Sequence, residues 1–440
     1  MSSAAGAGRF GRPRLASFPK FIISRLLNML LHHLKMAWKV LRRRTFFTVL
    51  SLIGIGTTLM SLLVAVALYD AAAGPHPPET HPDRLLTSTL ATLDMGGGPM
   101  RVRPSHWLLA QALAPVRAQA MVGIAGTEPL PVVAYVQGRK LPLNVKSADA
   151  GFWQVLDFQF LEGGPYTAGQ RGAGRPAVIS ARTARAYFGR AQGVVGHTLV
   201  IDQKNYRVLG VVADVPAVRF HAHADVWVPF DPNSVDMQAN NPFGNSEALV
   251  LARSPAAVPA VRAAFRRGLA TVPVERGMTL SLELEPFAES VAGHVLAQYN
   301  WTPDPARLFR RLSAAAVGLL LLLPALNLVT MNVSRLRERA AEIGVRKAFG
   351  ATAGALAGQF MVETLVLTLL GGVLGLGLAT ALLHGLSGRY LAAYGRIEPN
   401  LAVFGWALLG SLVFGLLSGA YPAWRLARLP AVEALKNALG

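Results

Sequence analysis

The chain has 440 residues, 52% of them hydrophobic and only 15% charged, against about 25% charged in an ordinary soluble domain. That balance points to a membrane protein whose length leaves room for one sizeable soluble domain. The formal net charge is +19 and there is no cysteine, which excludes disulfides, thiolate zinc sites and cysteine nucleophiles.

In chain order, residues 1–45 form a basic segment with ten Lys or Arg and no acid. Residues 1–19, rich in Gly, Ala, Ser, Arg and Pro, read as unstructured. "KFIISRLLNMLLHHLKMAWKVLRRRT" (20–45) sets Leu27, Leu30, Leu31, Leu34 and Trp38 at helical spacing beside basic residues. It reads as an amphipathic helix on the cytoplasmic membrane surface, or as a plain basic flank to the adjoining apolar run. That run, residues 46–69, carries no charge and is long enough to span a bilayer. It predicts the first transmembrane helix.

Residues 70–306 lose that character. "AAAGPHPPETHP" is a Pro- and Gly-rich break. "PVVAYVQG", "YRVLGVVADV" and "LSLELEPF" predict strands, and "SARTARAYFG" and "AAVPAVRAAFRRGLATV" predict helices. The expectation is a mixed α+β domain. Residues 307–334 hold a stalk end and a second span (312–334, with Pro324 as a kink point). A charged loop (335–354), a third span (355–386), a short loop (387–400), a fourth span (401–424) and a basic tail (425–440) complete the chain.

The expected fold is thus an integral membrane α-helical protein. Four transmembrane helices flank a large α+β extracytoplasmic domain set between the first and second spans. Most of the excess positive charge lies in 1–45, 335–354 and 425–440. Four spans put all three on one side, and Lys and Arg mark that side as cytoplasmic. Arg307, Arg310 and Arg311 lie on the outer side against that rule, which long translocated segments obey weakly. A nucleic-acid stripe would sit on a folded soluble domain instead, so nucleic acid is not an expected partner.

"SRLRERAAEIGVRKAFGAT" (334–352) reads as a short amphipathic helix. Glu342 and Arg346 stand four apart and support it, and Gly350 is placed to stop it. Spacing alone leaves two readings open: a handle for a soluble partner, or a solvated connector. The stretch "LNLVTMNVSRLRERAAEIGVRKAFGATAGALAGQFMVETLVLTLLGGVLGL" resembles the permease signature of the FtsX/MacB/LolCE group of ABC transporters. Glu342 to Ala351 fills its Glu-Ile-Gly-[Ile/Val]-Arg-[Arg/Lys]-Ala-[Leu/Phe]-Gly-Ala core. Pro422, Ala423, Pro430, Ala434 and Leu435 resemble the group's closing pattern. "GFWQVLDFQFLEGGPY", "AVISARTARAYFG" and "VVGHTLVIDQKNYRVLGVVADVP" resemble its periplasmic core domain.

The resemblance implies a dimeric permease, homomeric or with a paralogue, in the bacterial inner membrane with both termini cytoplasmic. It implies that the first two spans extend into a stalk. Arg337–Ala348 would be a coupling helix, with Glu338, Glu342, Arg346 and Lys347 meeting an ABC ATPase subunit. Gly344 and Gly350 would allow close approach and the turn into the third span. It implies mechanotransmission, with no substrate channel through the bilayer. A periplasmic adaptor and outer-membrane duct are further partners in some branches, beside the membrane lipids.

An ATPase needs a G-x-x-x-x-G-K-[ST] loop, and these 440 residues contain no Gly-Lys pair. The Gly96–Gly98 run, leading into "PMRVRP", reads as a loop. ATP and Mg are therefore expected on the partner, with no cofactor and no catalytic residue in this chain. "HAHAD" (His221–Asp225) reads as a polar loop entering a strand, or as a metal site. Ser180 lacks a nucleophile elbow. Glu363 and His384 read as interfacial rather than proton-carrying. Gly371 with Gly375, and Ser411 with Gly415 and Gly419, recur at four-residue spacing that lets helices approach closely.

The leading function is a permease coupling ATP hydrolysis to export or extrusion of a drug, peptide or lipoprotein. The alternative within the family is a signalling subunit that controls a periplasmic enzyme such as a cell-wall hydrolase. A receptor would need a cytoplasmic output domain, and an ion-coupled carrier more buried charge.

Overall fold

The computed structural model describes residues 45–136, 138–167, 175–273, 277–287, 349–387 and 399–428, with isolated positions beside them. In chain order, α1 (Thr45–Ala73) leads to β1 (Leu85–Ser88), β2 (Ala91–Asp94), β3 (Pro99–Val102) and α2 (His106–Ala112). Next come β4 (Ala120–Gly126), β5 (Leu130–Val136), β6 (Arg139–Ser147), α3 (Phe152–Val155) and β7 (Phe160–Gly163). β8 (Arg175–Ser180), α4 (Ala181–Phe188), β9 (Thr198–Ile201), β10 (Lys204–Val212) and β11 (Val226–Val228) follow. The last are β12 (Ser246–Ala252), α5 (Val258–Ala270), β13 (Thr279–Leu282), β14 (Glu285–Pro286), α6 (Ala353–Ser387) and α7 (Leu401–Arg428). The chain divides into a membrane unit (residues 1–64, 318–381 and 399–440) and an outer unit (residues 65–317 and 382–398).

In the membrane unit, α1 and α6 contain apolar stretches, Thr48–Ala72 and Met361–Leu386, long enough to cross a membrane. Their polar side chains are satisfied within the helix. Thr57, Thr58 and Ser61 donate to the carbonyls of Ile53, Gly54 and Thr57 at 2.8–2.9 Å, as a lipid setting requires. Glu363 is buried, and Gln359 Nε2 donates to its Oε1 at 3.0 Å. Glycines set the spacing of α6 against its neighbours. A Cβ on Gly371 would stand 2.6 Å from Ile55 Cγ2, and one on Gly375 2.8 Å from the Gly56 carbonyl. A Cβ on Gly372 would meet Leu408 Cδ1 of α7 at 2.6 Å. Gly415 and Gly419 lie on α7. Most of the 20–45 and 312–334 segments, Pro324 included, lies outside the described residues.

These distances make a test. Gly375→Ala places its methyl against backbone that cannot rotate away, at a cost of about 1–3 kcal/mol. Gly377→Ala on the same helix meets nothing within 4 Å and is expected to be neutral. Thermal denaturation of the detergent-solubilised chain, followed by gel filtration, should separate the two.

Among the described residues the outer unit contains three sheets. The four-stranded sheet runs β14-β1-β12-β4 and is antiparallel throughout. α2 and α5 cover one face, where Leu108, Leu109, Val122, Ile124, Val250 and Phe265 form a core. The seven-stranded sheet runs β5-β6-β11-β8-β10-β7, with β9 on β10. It is mixed: β6–β11 and β8–β10 pair parallel, and the remaining pairs antiparallel. Ala134, Ile179, Ala184, Val208 and Val226 fill the side of this sheet facing α4. Phe152, Trp227, Val212 and Leu249 fill a core shared with the four-stranded sheet. The small third sheet is β13-β2-β3.

α4 shows why its sequence folds as it does. Ser180 Oγ accepts the Thr183 N–H as an N-cap, and Gly189 ends the helix at φ 74°. One expectation is corrected. "LSLELEPF" is not one strand: β13 pairs with β2, and after Glu283 and Leu284 the chain crosses to pair β14 with β1. Leu282 and Leu284 are both buried, so burying both apolar side chains draws the chain from one sheet to the other. The Gly96–Gly98 run is a loop, as expected. Asp94 Oδ1 accepts the Gly96 and Gly98 N–H groups in a tight turn, and residues 99–102 return as β3.

Candidate coupling turn and a buried ionic network

Of the residues proposed to meet an ATPase, Glu338, Glu342, Gly344, Arg346 and Lys347 lie outside the described residues. The described end of that segment has a defined shape. Val345 is helical, and the Phe349 N–H donates to its carbonyl at 3.2 Å. Gly350 comes next at φ 89°, with open space around its Cα. Backbone conformation alone, and not crowding, therefore selects glycine there. α6 starts three residues later.

Val345 and Phe349 stand one helical turn apart and share a face. Val345 is 46% exposed and Phe349 88% exposed. Reading the sequence for charge missed Phe349. The available signal was a large apolar residue directly before a helix-ending glycine in a polar loop.

Among the described residues of the outer unit, five of the buried ionisable side chains form two connected groups. Lys146 on β6 donates from Nζ to Glu247 Oε1 of β12 at 3.1 Å and to the Phe220 carbonyl at 2.9 Å. The other carboxylate oxygen of Glu247 lies 2.6 Å from His221 Nδ1. All three side chains are shielded from solvent. Arg219, two residues before His221, forms the second group. Its Nη1 donates to Glu79 Oε2 at 3.0 Å and to the Gly74 carbonyl at 2.9 Å, and Nη2 to the Asp70 carbonyl at 3.4 Å.

Burial tends to push both carboxyls up, and the outcome differs between them. At Glu79 burial prevails over the nearby His221 and Arg219, and its carboxyl sits above the ordinary value of 4.5. At Glu247 burial acts the same way, yet the Lys146 and His221 charges and their hydrogen bonds hold it below 4.5. Linkage fixes the signs. Glu247 contributes stability that is complete above its unfolded value and lost as pH falls through its folded one. Glu79 does the reverse: its folded form binds the proton first, so stability falls as pH rises from about 4.5 through its folded value. Chemical denaturation of the full chain between pH 3 and 7 is expected to show both. Glu247→Gln should flatten the acid limb, and Glu79→Gln should remove the opposing slope above it.

"HAHAD" is the expected polar loop entering a strand, β11, but it is not solvated. His221 and Asp225 are buried, and the three polar side chains serve separate partners. His221 faces Glu247, His223 Nδ1 lies 2.7 Å from the Val215 carbonyl, and Asp225 accepts from Asn144 and Arg182. Burial lowers the His223 imidazole below its usual range. Ser180 is occupied as the cap of α4. Among the described residues, no group of three His, Asp or Glu is placed to hold a metal ion.

An open cleft of about 850 Å³ lies at one end of the seven-stranded sheet, with Leu130, Val132, Val145, Ile201 and Phe230 in its wall. Arg175 and Lys204 on its rim both face Asp231, at 3.3 and 4.0 Å. Asp149, Tyr166, Thr167, Asp202 and Tyr206 share the lining, which is therefore mixed in polarity.

Among the described residues two helices are long and apolar enough to cross a membrane, and a large α+β domain lies between them in the chain. The family model for the MacB-like periplasmic core domain matches residues 45–267, and that for the FtsX-like permease C-terminal region matches 314–431. The chain belongs to the MacB/FtsX family of ABC transporter permeases.

It is 23% identical over 305 residues to the ABC transporter permease YknZ of Bacillus subtilis (strain 168), covering 67% of this chain and 70% of YknZ. It is 25% identical over 419 residues to the macrolide export ATP-binding/permease protein MacB of Salmonella typhi, covering 91% of this chain. It spans 60% of the length of that MacB relative. Among solved structures it is similar to the extracellular domain of YknZ from Gram-positive bacteria (14% identity, 40% of this chain, 88% of that one, TM-score 0.31). It is also similar to the periplasmic region of MacB from Actinobacillus actinomycetemcomitans (12%, 47%, 92%, TM-score 0.31).

Proposed function

We propose that the chain is the permease of an ATP-driven extrusion machine, worked by a partner ATPase that docks at residues 337–350. The observation that carries this reading is the exposed Val345–Phe349 face beside the Gly350 turn. An aromatic left this bare on a short segment leading into a membrane-length helix suits a partner's pocket. Glu338, Glu342, Arg346 and Lys347 would supply the charged rim around it, and Gly344 the close approach. ATP and Mg would be handled by the partner.

The remaining elements come from the family and the charge pattern: four spans, both termini on the cytoplasmic side of a bacterial inner membrane, and two permease copies or paralogues per machine. Gly371 and Gly375 would pack the spans of one subunit, with Gly415 and Gly419 acting likewise on α7. Cargo would be moved outside the bilayer by the outer domain, with an adaptor and outer-membrane duct as further partners.

The test is reconstitution. The purified chain in liposomes should hydrolyse no ATP alone and should bind and stimulate an ABC ATPase co-purified with it. Glu342→Lys and Arg346→Glu should each break that stimulation. Normal stimulation in both variants would remove the docking role. Control of a cell-wall hydrolase without any transported cargo would move the reading to the signalling branch.

A further inference from the structure

α1 ends inside the outer unit at Gly74, whose N–H donates to the Asp70 carbonyl at 2.7 Å. The last carbonyls of any helix lack partners and carry its partial negative charge. A basic residue in the last turn commonly answers them, and α1 has none. The cation comes from far along the chain. Arg219 is 2% exposed, and its guanidinium donates to the carbonyls of Asp70 and Gly74 at that helix end and to Glu79 just beyond. Gly74 allows this fit, because a Cβ there would stand 2.5 Å from the Asp70 carbonyl.

The anchorage behind Arg219 is also buried and ionic. Residues 219–223 are tied by Arg219 and Pro216 carbonyl bonds into a compact turn. The next side chain in that turn to point inward is His221, held by Glu247, which Lys146 in turn ties to β6. The helix end is therefore linked through one turn to a strand of each of the two larger sheets. Hydrophobic contact would suffice to cover a helix end. A forked cation that holds two carbonyls and a carboxylate instead fixes direction and register. Glu79 Oε1 is left buried with no partner among the described residues, a cost that a merely space-filling contact would not carry.

We propose that Arg219 is the positioning residue of the coupling stroke: it fastens the last turn of α1 to both large sheets of the outer domain, so that a displacement arriving along α1 moves that domain as one body. This rests on the proposed ATP-driven function for its stroke, but the fastening itself is testable without an ATPase.

The chain has no native cysteine, so a spin-label pair at Tyr69→Cys and Asp202→Cys, both exposed positions of the outer unit, reports the helix end against the sheet. Two variants are compared with the labelled parent in nanodiscs. Arg219→Lys keeps the charge and loses the fork. Arg219→Gln with Glu79→Gln removes both buried charges together, which avoids leaving one unpaired.

The parent should give one narrow distance distribution, unchanged when the ATP-loaded partner is added. Both variants should lose that single narrow peak without nucleotide. With the partner bound, they should show a nucleotide-dependent shift while hydrolysing ATP at the parent rate. Parent-like narrow distributions in both variants would overturn the proposal. So would a joint fall in melting temperature and ATP hydrolysis, which would make Arg219 a structural residue only. If no ATPase binds even the parent, the function reading fails, and the nucleotide-free widths still decide the fastening.

Discussion

Phe349→Ala in the full-length chain is expected to release the partner ATPase while leaving the fold intact. Its ring is 88% exposed in the free chain, so truncation removes almost no internal packing. On docking, the same ring would be buried. Full burial of a Phe side chain is worth about 1.5–3 kcal/mol, and aromatic anchors at the centre of an interface reach roughly 2–4 kcal/mol. Those figures correspond to a loss of about 10- to 1,000-fold in affinity. Val345→Ala should cost less, since a smaller and half-covered side chain is removed. Binding of the partner to nanodisc-embedded chain, measured by interferometry, reads both. An unchanged affinity in Phe349→Ala would mean that the apolar face is not the contact. An unchanged melting temperature is the accompanying control.

The second large effect belongs to the outer domain. Lys146→Met keeps the volume of the side chain and removes its charge. It leaves Glu247 buried against His221 without its lysine and removes the Nζ donor to the Phe220 carbonyl. Breaking a buried pair in this way costs about 3–5 kcal/mol. At roughly 2–4 °C per kcal/mol for a domain of this size, melting should fall by about 6–20 °C. Lys146→Met combined with Glu247→Gln should recover part of the loss, because the two sites touch and their effects do not add. Differential scanning fluorimetry of the solubilised chain gives all three values. Equal melting of parent and Lys146→Met would show that the pair contributes nothing net.

The sequence makes some of this molecule legible and hides the rest for identifiable reasons. The first apolar helix is visible because a run from Phe46 to Tyr69 has no charge. α4 is visible because its cap and its terminating glycine, Ser180 and Gly189, sit beside it. Local rules suffice where the partners are local. Lys146 and Glu247 are 101 residues apart, and each lies in a strand where a lone charge reads as facing solvent. Arg219 and the helix end it answers are still further apart, at 145 and 149 residues. No spacing rule reaches across such intervals. "LSLELEPF" misleads for the converse reason: its composition suits one strand throughout, and only the two separate sheets decide where it breaks. At the coupling segment the charged residues draw notice first, and the exposed ring of Phe349 emerges only with its accessibility.

The pairing of the four-stranded sheet has a consequence for how the protein is made. Leu85 on β1 pairs with Leu251 on β12, about 160 residues later in the chain. β1 is buried along its whole length in the finished domain. A ribosome adding about 5–20 residues per second therefore leaves this apolar strand uncovered for roughly 8–30 s. During that interval it is an unpaired edge, open to aggregation and to proteases. The first part of the outer unit to be made is thus among the last to be completed, and this sheet closes only once β12 has emerged.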